Sequence, residues 1–123
     1  MSDFKQRIGR SGEDLAADHL QRQGYHIIAR NYRTRQAEID IIAKHQGVLV
    51  FVEVKTRRSK GFGHPKWAVT PAKQRKISMA ALEYLKKHRA MQSRARFDVV
   101  TIQRHDGNPH IEVIANAFEL AYT

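Results

Sequence analysis

The chain has no cysteine among its 123 residues, which excludes disulfides and thiolate zinc sites and fits a reducing compartment. No apolar stretch approaches the ~18 residues that a membrane span needs. The opening Met1-Ser2-Asp3-Phe4-Lys5 lacks the apolar core of a signal peptide. A soluble, cytoplasmic protein with no membrane partner is therefore expected. Acids are scarce: 12 Asp plus Glu stand against 22 Lys plus Arg, a formal charge of +10. That balance does not dictate a fold, but it predicts a polyanionic partner, nucleic acid above all. Internal repeats, low-complexity tracts and interdomain linkers are also missing, so residues 1–123 read as a single domain, long enough to bury a core.

What is present is a regular succession of elements. Apolar residues at Phe4, Ile8, Leu15, Ala16 and Leu20 recur with a helical period, and Gly24 is a natural stop, which predicts a helix from Phe4 to about Gln23. Tyr25 to Arg33 alternates as a first strand. Ala37 to Lys44 and Val48 to Thr56 are rich in Ile, Val and Phe and are separated by the turn-like His45-Gln46-Gly47, which predicts an antiparallel hairpin. Arg57 to Val69 has no apolar period and reads as a surface loop. Thr70-Pro71 then reads as an N-cap with proline at the first helical position, opening a helix that ends near His88 or Arg89. Arg96 to Ile102 and Ile111 to Ile114 read as two more strands around the turn Asp106-Gly107-Asn108-Pro109. The order α-β-β-β-α-β-β predicts an α/β domain with a mixed β-sheet flanked by helices.

The hairpin carries the chemistry. Asp40 lies on its first strand, and Glu53-Val54-Lys55 follows the apolar run Val48 to Val52 on its second. Carboxylates and an amine in buried sheet are costly unless paired, hydrogen-bonded or bound to a cation. If Lys44 faces Leu49, the same register sets Asp40 opposite Glu53 and Glu38 opposite Lys55. Two acids then have Cβ atoms roughly 4.5–5.5 Å apart, a destabilising arrangement unless positive charge lies between them. A register shorter by one residue sends them to opposite faces. An ordinary ion-paired sheet edge, with Lys44 and Arg57 as extra partners, is the plain alternative. All-oxygen ligands select a hard cation, Mg²⁺ with Mn²⁺ as a substitute, which could bind a scissile phosphate and activate water. Lys55, on the same face as Glu53, would orient the water or offset transition-state charge. Glu13, at the margin of the first helix's apolar stripe, can add a third acid; an exposed Glu13 paired with Arg10 is its other reading.

Gly12-Glu13, Gly24-Tyr25, Arg30-Asn31-Tyr32-Arg33, Glu38 to Ala43, Val50 to Arg57 and Arg96 to Val100 together resemble the YraN-like family of small bacterial proteins, over nearly the whole chain. The resemblance implies a restriction-endonuclease-like fold, similar to archaeal Holliday junction resolvases, whose acids run in the order Glu, Asp, Glu-x-Lys. Carried over position by position, it implies Glu13, Asp40, Glu53 and Lys55 as the catalytic set, with Asp40, Glu53 and Glu13 at the metal and Glu38 in support. Such resolvases pair up, which leaves a homodimer open. Where the family usually has two glycines before the Glu-Ile-Asp run, this chain has Gln36-Ala37, so the bend into that strand is expected to differ.

From Lys55 to Leu82 there is no acid, while Arg57, Arg58, Lys60, Lys66, Lys73, Arg75 and Lys76 follow one another. This run leads into a helix N-terminus, where free amides favour anions. Arg57, Arg58, Lys60, Lys66, Lys73 and Lys76 are the expected nucleic-acid contacts. Phe62 and Trp67 can stack on unpaired bases or, for Trp67, pack the loop onto the body. Nothing spells base readout, so recognition of branched or structured DNA by shape is the natural expectation. The seven histidines show no ligand spacing, and only His64 stands in the basic loop as a candidate proton shuttle. Asp98 is expected in the sheet as the partner of an arginine. The leading expectation is a Mg²⁺-dependent endonuclease on branched or structured DNA. A catalytically silent nuclease-fold DNA-binding module, accessory to repair or uptake, is the alternative, and charge-driven RNA or ribosome binding is a third.

Overall fold

A computed structural model describes residues 11–57, 69–105 and 108–118. Its elements are α1 (Gly12–Arg22), β1 (His26–Arg33), β2 (Glu38–His45), β3 (Val48–Arg57), α2 (Pro71–Lys87), β4 (Ala95–His105) and β5 (Asn108–Phe118), the expected order. The five strands form one mixed sheet in the order β1-β2-β3-β4-β5. Every neighbouring pair is antiparallel except β3 with β4. That parallel pair follows from α2, which crosses over between the two strands; a parallel connection needs such a crossover.

The local stops and starts have readable causes. Ser11 is extended and its Oγ accepts the Asp14 amide at 3.1 Å, so α1 begins at Gly12. The continuous helix expected from Phe4 is thereby corrected: a side-chain N-cap at Ser11 interrupts the helical backbone, and residues 4–10 lie outside the described residues. At the other end Gly24 adopts φ +93°. The Tyr25 amide returns to the Leu20 carbonyl and the Gly24 amide to that of Gln21, which satisfies the last turn. Thr70 caps α2 through its Oγ1, which accepts the Lys73 amide, with Pro71 in the first turn. Gln46 and Gly47, both at positive φ, join β2 to β3 with His45 opposite Val48. Two left-handed residues give a turn whose twist matches that of the flanking strands.

Among the described residues, one helix covers each face. Alternation along β3 sends Leu49 and Phe51 to the α2 side, where they pack with Ile42, Phe97, Val99, Ile77, Ala81, Tyr84 and Leu85. Val50 and Val52 go to the α1 side with Ile41, Ala43, Val100, Ile102, Ala16 and Leu20. Because β3 is central and apolar on both faces, its sequence reads as a continuous hydrophobic run. β4 and β5 are longer than their apolar patterns indicated, since Gln103 to His105 pair with Asn108 to His110 through polar residues. Among the described residues, no helix is long and apolar enough to cross a membrane.

Candidate metal centre

The expected register holds as far as it is paired: Lys44 faces Leu49 and Ile41 faces Val52. There the β2–β3 ladder ends. Asp40 does not complete a ladder pair with Glu53; its Oδ2 accepts the Val54 amide at 2.8 Å. Glu38 lies beyond that last β2–β3 pair as well; it pairs with Arg33 on β1, whose Nε donates to Glu38 Oε2 at 2.8 Å. The two strands thus diverge at the two sequence positions that carry the acids, and the fork between them is where charged groups collect.

Glu13 comes from α1. Gly12 eases this approach: a Cβ there would lie 2.1 Å from Thr56 Oγ1, so any larger residue makes the first turn of α1 or the Thr56 side chain shift. One carboxylate oxygen each from Glu13, Glu38 and Asp40 lie within 4.8 Å of one another. Arg30 stands beside this group, 2.8 Å from Asp14 and 3.9 Å from Glu13. It takes the place of the Arg10 partner considered from sequence, which lies outside the described residues. Burial pushes the Glu13 carboxyl up, and Glu38 and Asp14 add to it against Arg30.

Asp40 feels the crowding most. Its carboxyl is pushed up to about 7, by burial first and then by the Glu53 and Glu13 charges, against the Val54 amide and the Lys73 ammonium. On the α2 side Glu53 is 5% exposed, and its Oε1 is held by Lys73 Nζ at 2.9 Å, with Lys55 Nζ at 3.8 Å. Burial and the neighbouring Lys73 push the Lys55 ammonium down. Burial also works against Lys73, but the Glu53 carboxylate outweighs it and Lys73 is raised. Ala37, Glu38, Asp40, Glu53, Thr70, Ala72, Lys73 and Lys76 line a cleft of about 510 Å³.

The structure brings Glu13 and Asp40 together with Glu38; Glu53 stands outside that group, on the lining of the same cleft as Asp40 and beside Lys55, and two further residues join the site. Glu38, given a supporting part from sequence, is the acid that closes on Glu13 and Asp40. Lys73, expected only as a phosphate contact, is the nearest cation to Glu53. Its signal was available: a lysine in a helix's first turn opposes the dipole, by about 0.3–1 kcal/mol, and such a placement asks for an external partner. Lys76 borders the cleft and Arg57 ends β3. Arg58, Lys60, Lys66, Phe62, His64 and Trp67 lie outside the described residues. The donor set suits a hard divalent cation: several carboxylate oxygens close together and no sulfur.

A second charged cluster lies in β4. Asp98 is fully buried and accepts from Tyr25 Oη at 2.7 Å, from Arg96 Nε at 3.0 Å and from the Asn116 amide at 2.9 Å. Arg96 also reaches His45 Nδ1, and His45 stacks on Tyr25. Asp98 is thus the arginine-paired structural acid expected from sequence.

The model of the family described as "Uncharacterised protein family UPF0102" matches residues 12–102. A UPF0102 protein of Geobacter sulfurreducens is 56% identical over 117 residues, covering 94% of this chain and 91% of its own. One from Trichlorobacter lovleyi is 52% identical over 119 residues, with 95% and 94% covered, and one from Geobacter metallireducens is 51% identical over 122 residues, with 99% and 100% covered. Among solved structures, Pyrococcus furiosus SfsA in complex with Ca²⁺ aligns with a TM-score of 0.38 at 13% identity, over 84% of this chain and 58% of that one. A likeness that slight carries no chemistry across. On the family match and the close relatives, the chain belongs to UPF0102, the YraN-like family that its motifs resemble.

Proposed function

We propose that this protein is a cytoplasmic Mg²⁺-dependent endonuclease that hydrolyses phosphodiester bonds in branched or structured DNA. The observation that carries the reading is geometric: carboxylate oxygens of Glu13, Glu38 and Asp40 lie within 4.8 Å of one another, and Asp40 and Glu38 share with Glu53 a cleft bordered by Lys73 and Lys76. Asp40, Glu53 and Glu13 would hold the ion, with Glu38 beside them. A divalent cation bound there supplies positive charge to a scissile phosphate and acidity to a water.

The chain's own groups do the rest. The Val54 amide fixes Asp40 through Oδ2, leaving the other oxygen to a ligand. Lys55, beside Glu53, can donate to the attacking water or to a phosphate oxygen and offset charge that develops in the transition state. Lys76 and the basic segment with Arg57, Arg58, Lys60 and Lys66 supply backbone contacts, which position a duplex without reading its bases.

The test is cleavage of junctions, flaps, duplexes and single strands by purified protein with Mg²⁺ or Mn²⁺. Cleavage that disappears in Asp40→Asn and Glu53→Gln while DNA binding persists is the expected result. Wild-type protein inert on every substrate with both metals overturns the reading. One observation favours a second reading, a nuclease-fold module that binds DNA without cutting: Glu53 already has an internal cation in Lys73. That module would show a steep salt dependence of affinity and an unchanged cellular phenotype when Lys55 is neutralised.

A further inference from the structure

Lys73 is misplaced by local rules and well placed by tertiary ones. It lies in the first turn of α2, where a positive charge opposes the helix dipole, and that turn has no acid to offset it, whereas the first turn of α1 carries Glu13 and Asp14. Its compensation comes from across the cleft, where Glu53 Oε1 lies at 2.9 Å. Lys55, on the same strand as Glu53, approaches that oxygen only to 3.8 Å. The Glu53 side chain is 6% exposed while that of Lys73 is 42% exposed, so one end of the pair is fixed in the sheet and the other borders solvent. A buried carboxylate stripped of its partner is costly, so Glu53 calls for a cation within hydrogen-bond distance.

We propose that Lys73 is a positioning residue of the metal centre, whose ammonium neutralises Glu53 in the metal-free protein and competes with an incoming divalent cation for that carboxylate. The proposal rests on the metal-dependent reading above and adds a residue that the sequence motifs do not contain. Two cations on one carboxylate repel at short range, so loading the site displaces Lys73 outward along its solvent-facing side. There it joins Lys76 on the rim of the same cleft, where the displaced ammonium can pair with a phosphate of the nucleic acid. Metal loading and backbone contact are thereby linked through one side chain.

The test is calorimetric titration of Mn²⁺ into wild type, Lys73→Met, Lys73→Arg and Lys76→Met at one pH and salt concentration. Lys73→Met should bind Mn²⁺ about three- to fivefold more tightly, the upper part of the range set by the worth of a partly exposed ion pair. Lys73→Arg keeps the charge and should stay within about twofold of wild type, as should Lys76→Met, whose more distant charge is screened. A folded Lys73→Met with unchanged or weaker affinity overturns the proposal. Should that variant not fold, the wild type decides: the Lys73 Cε and Nζ resonances should move on addition of Mg²⁺ while those of Lys76 stay, and a still Lys73 overturns it. Mn²⁺ heat in wild type that Lys73→Met leaves unaltered defeats this inference alone. Absence of heat in both defeats the metal reading as well.

Discussion

Two acids of the sheet, Asp98 and Asp40, differ in how their surroundings answer a negative charge. Asp98, on β4, is fully buried and collects donors from a tyrosine, an arginine and a backbone amide. Those contacts join Arg96 of the same strand to Tyr25 and, through Arg96, to His45 at the end of β2, and the Tyr25 hydroxyl, buried against Asp98, is pushed up to about 12. Asp40, on β2, has the Val54 amide, acids on several sides and a carboxyl pushed up to about 7. The first cluster is closed, with donors matched to acceptors; the second has Lys73 and Lys55 on Glu53 and Arg33 on Glu38, yet keeps carboxylate oxygens of Glu13, Glu38 and Asp40 within 4.8 Å of one another. Burial alone does not mark a site, since the deeper of the two acids is the structural one.

The comparison can be broken most forcefully at Asp98. Asp98→Ala leaves Arg96 and Tyr25 without their acceptor and should lower the unfolding free energy by about 3–5 kcal/mol, read from urea midpoints. Next in size is Gly12→Ala. Its methyl meets Thr56 Oγ1, and the overpacking should cost about 1–3 kcal/mol while shifting Glu13 away from the site. Tyr25→Phe removes one donor from the closed cluster and should cost about 1 kcal/mol.

The smallest effect, and of opposite sign, is expected at the open cluster. Asp40→Asn removes a charge from among acids and should leave stability within about 1 kcal/mol of wild type or raise it. The pH dependence sharpens the contrast. The folded-state pKa of Asp40 is raised above its unfolded value, so its contribution is fully present below about pH 4 and is lost as pH rises through about 7. Metal-free wild type should therefore melt lower at pH 7.5 than at pH 5.5, with a shallower slope in Asp40→Asn, and added Mg²⁺ should restore the loss in wild type only. A pH slope identical in the two proteins would remove the distinction between the clusters.

Much of the fold was legible because local chemistry and tertiary structure agree. Gly24, Gln46-Gly47 and Thr70-Pro71 each mark a boundary that the chain respects, and the apolar runs of β2 and β3 set the hairpin register. The start of α1 was hidden because the helical period of Phe4 and Ile8 masks a cap at Ser11. The reach of β4 and β5 was hidden because polar residues pair as well as apolar ones where a sheet edge faces solvent. At the site, Asp40, Glu53, Lys55 and Glu13 could be picked out by charge in an apolar context and by family motif. The fork that parts Asp40 from Glu53 could not, because it arises where a side chain replaces a ladder partner. The Lys73–Glu53 contact joins residues on separate elements and was visible only as a lysine at the unfavourable end of a helix.

The central claim is that the acids around Asp40 form a cation site. Calorimetric titration of Mn²⁺ into wild type and Asp40→Asn, side by side, tests it most directly. Saturable heat in the wild type that is absent from Asp40→Asn is the predicted result; equal heats in the two proteins, or none in either, would contradict it.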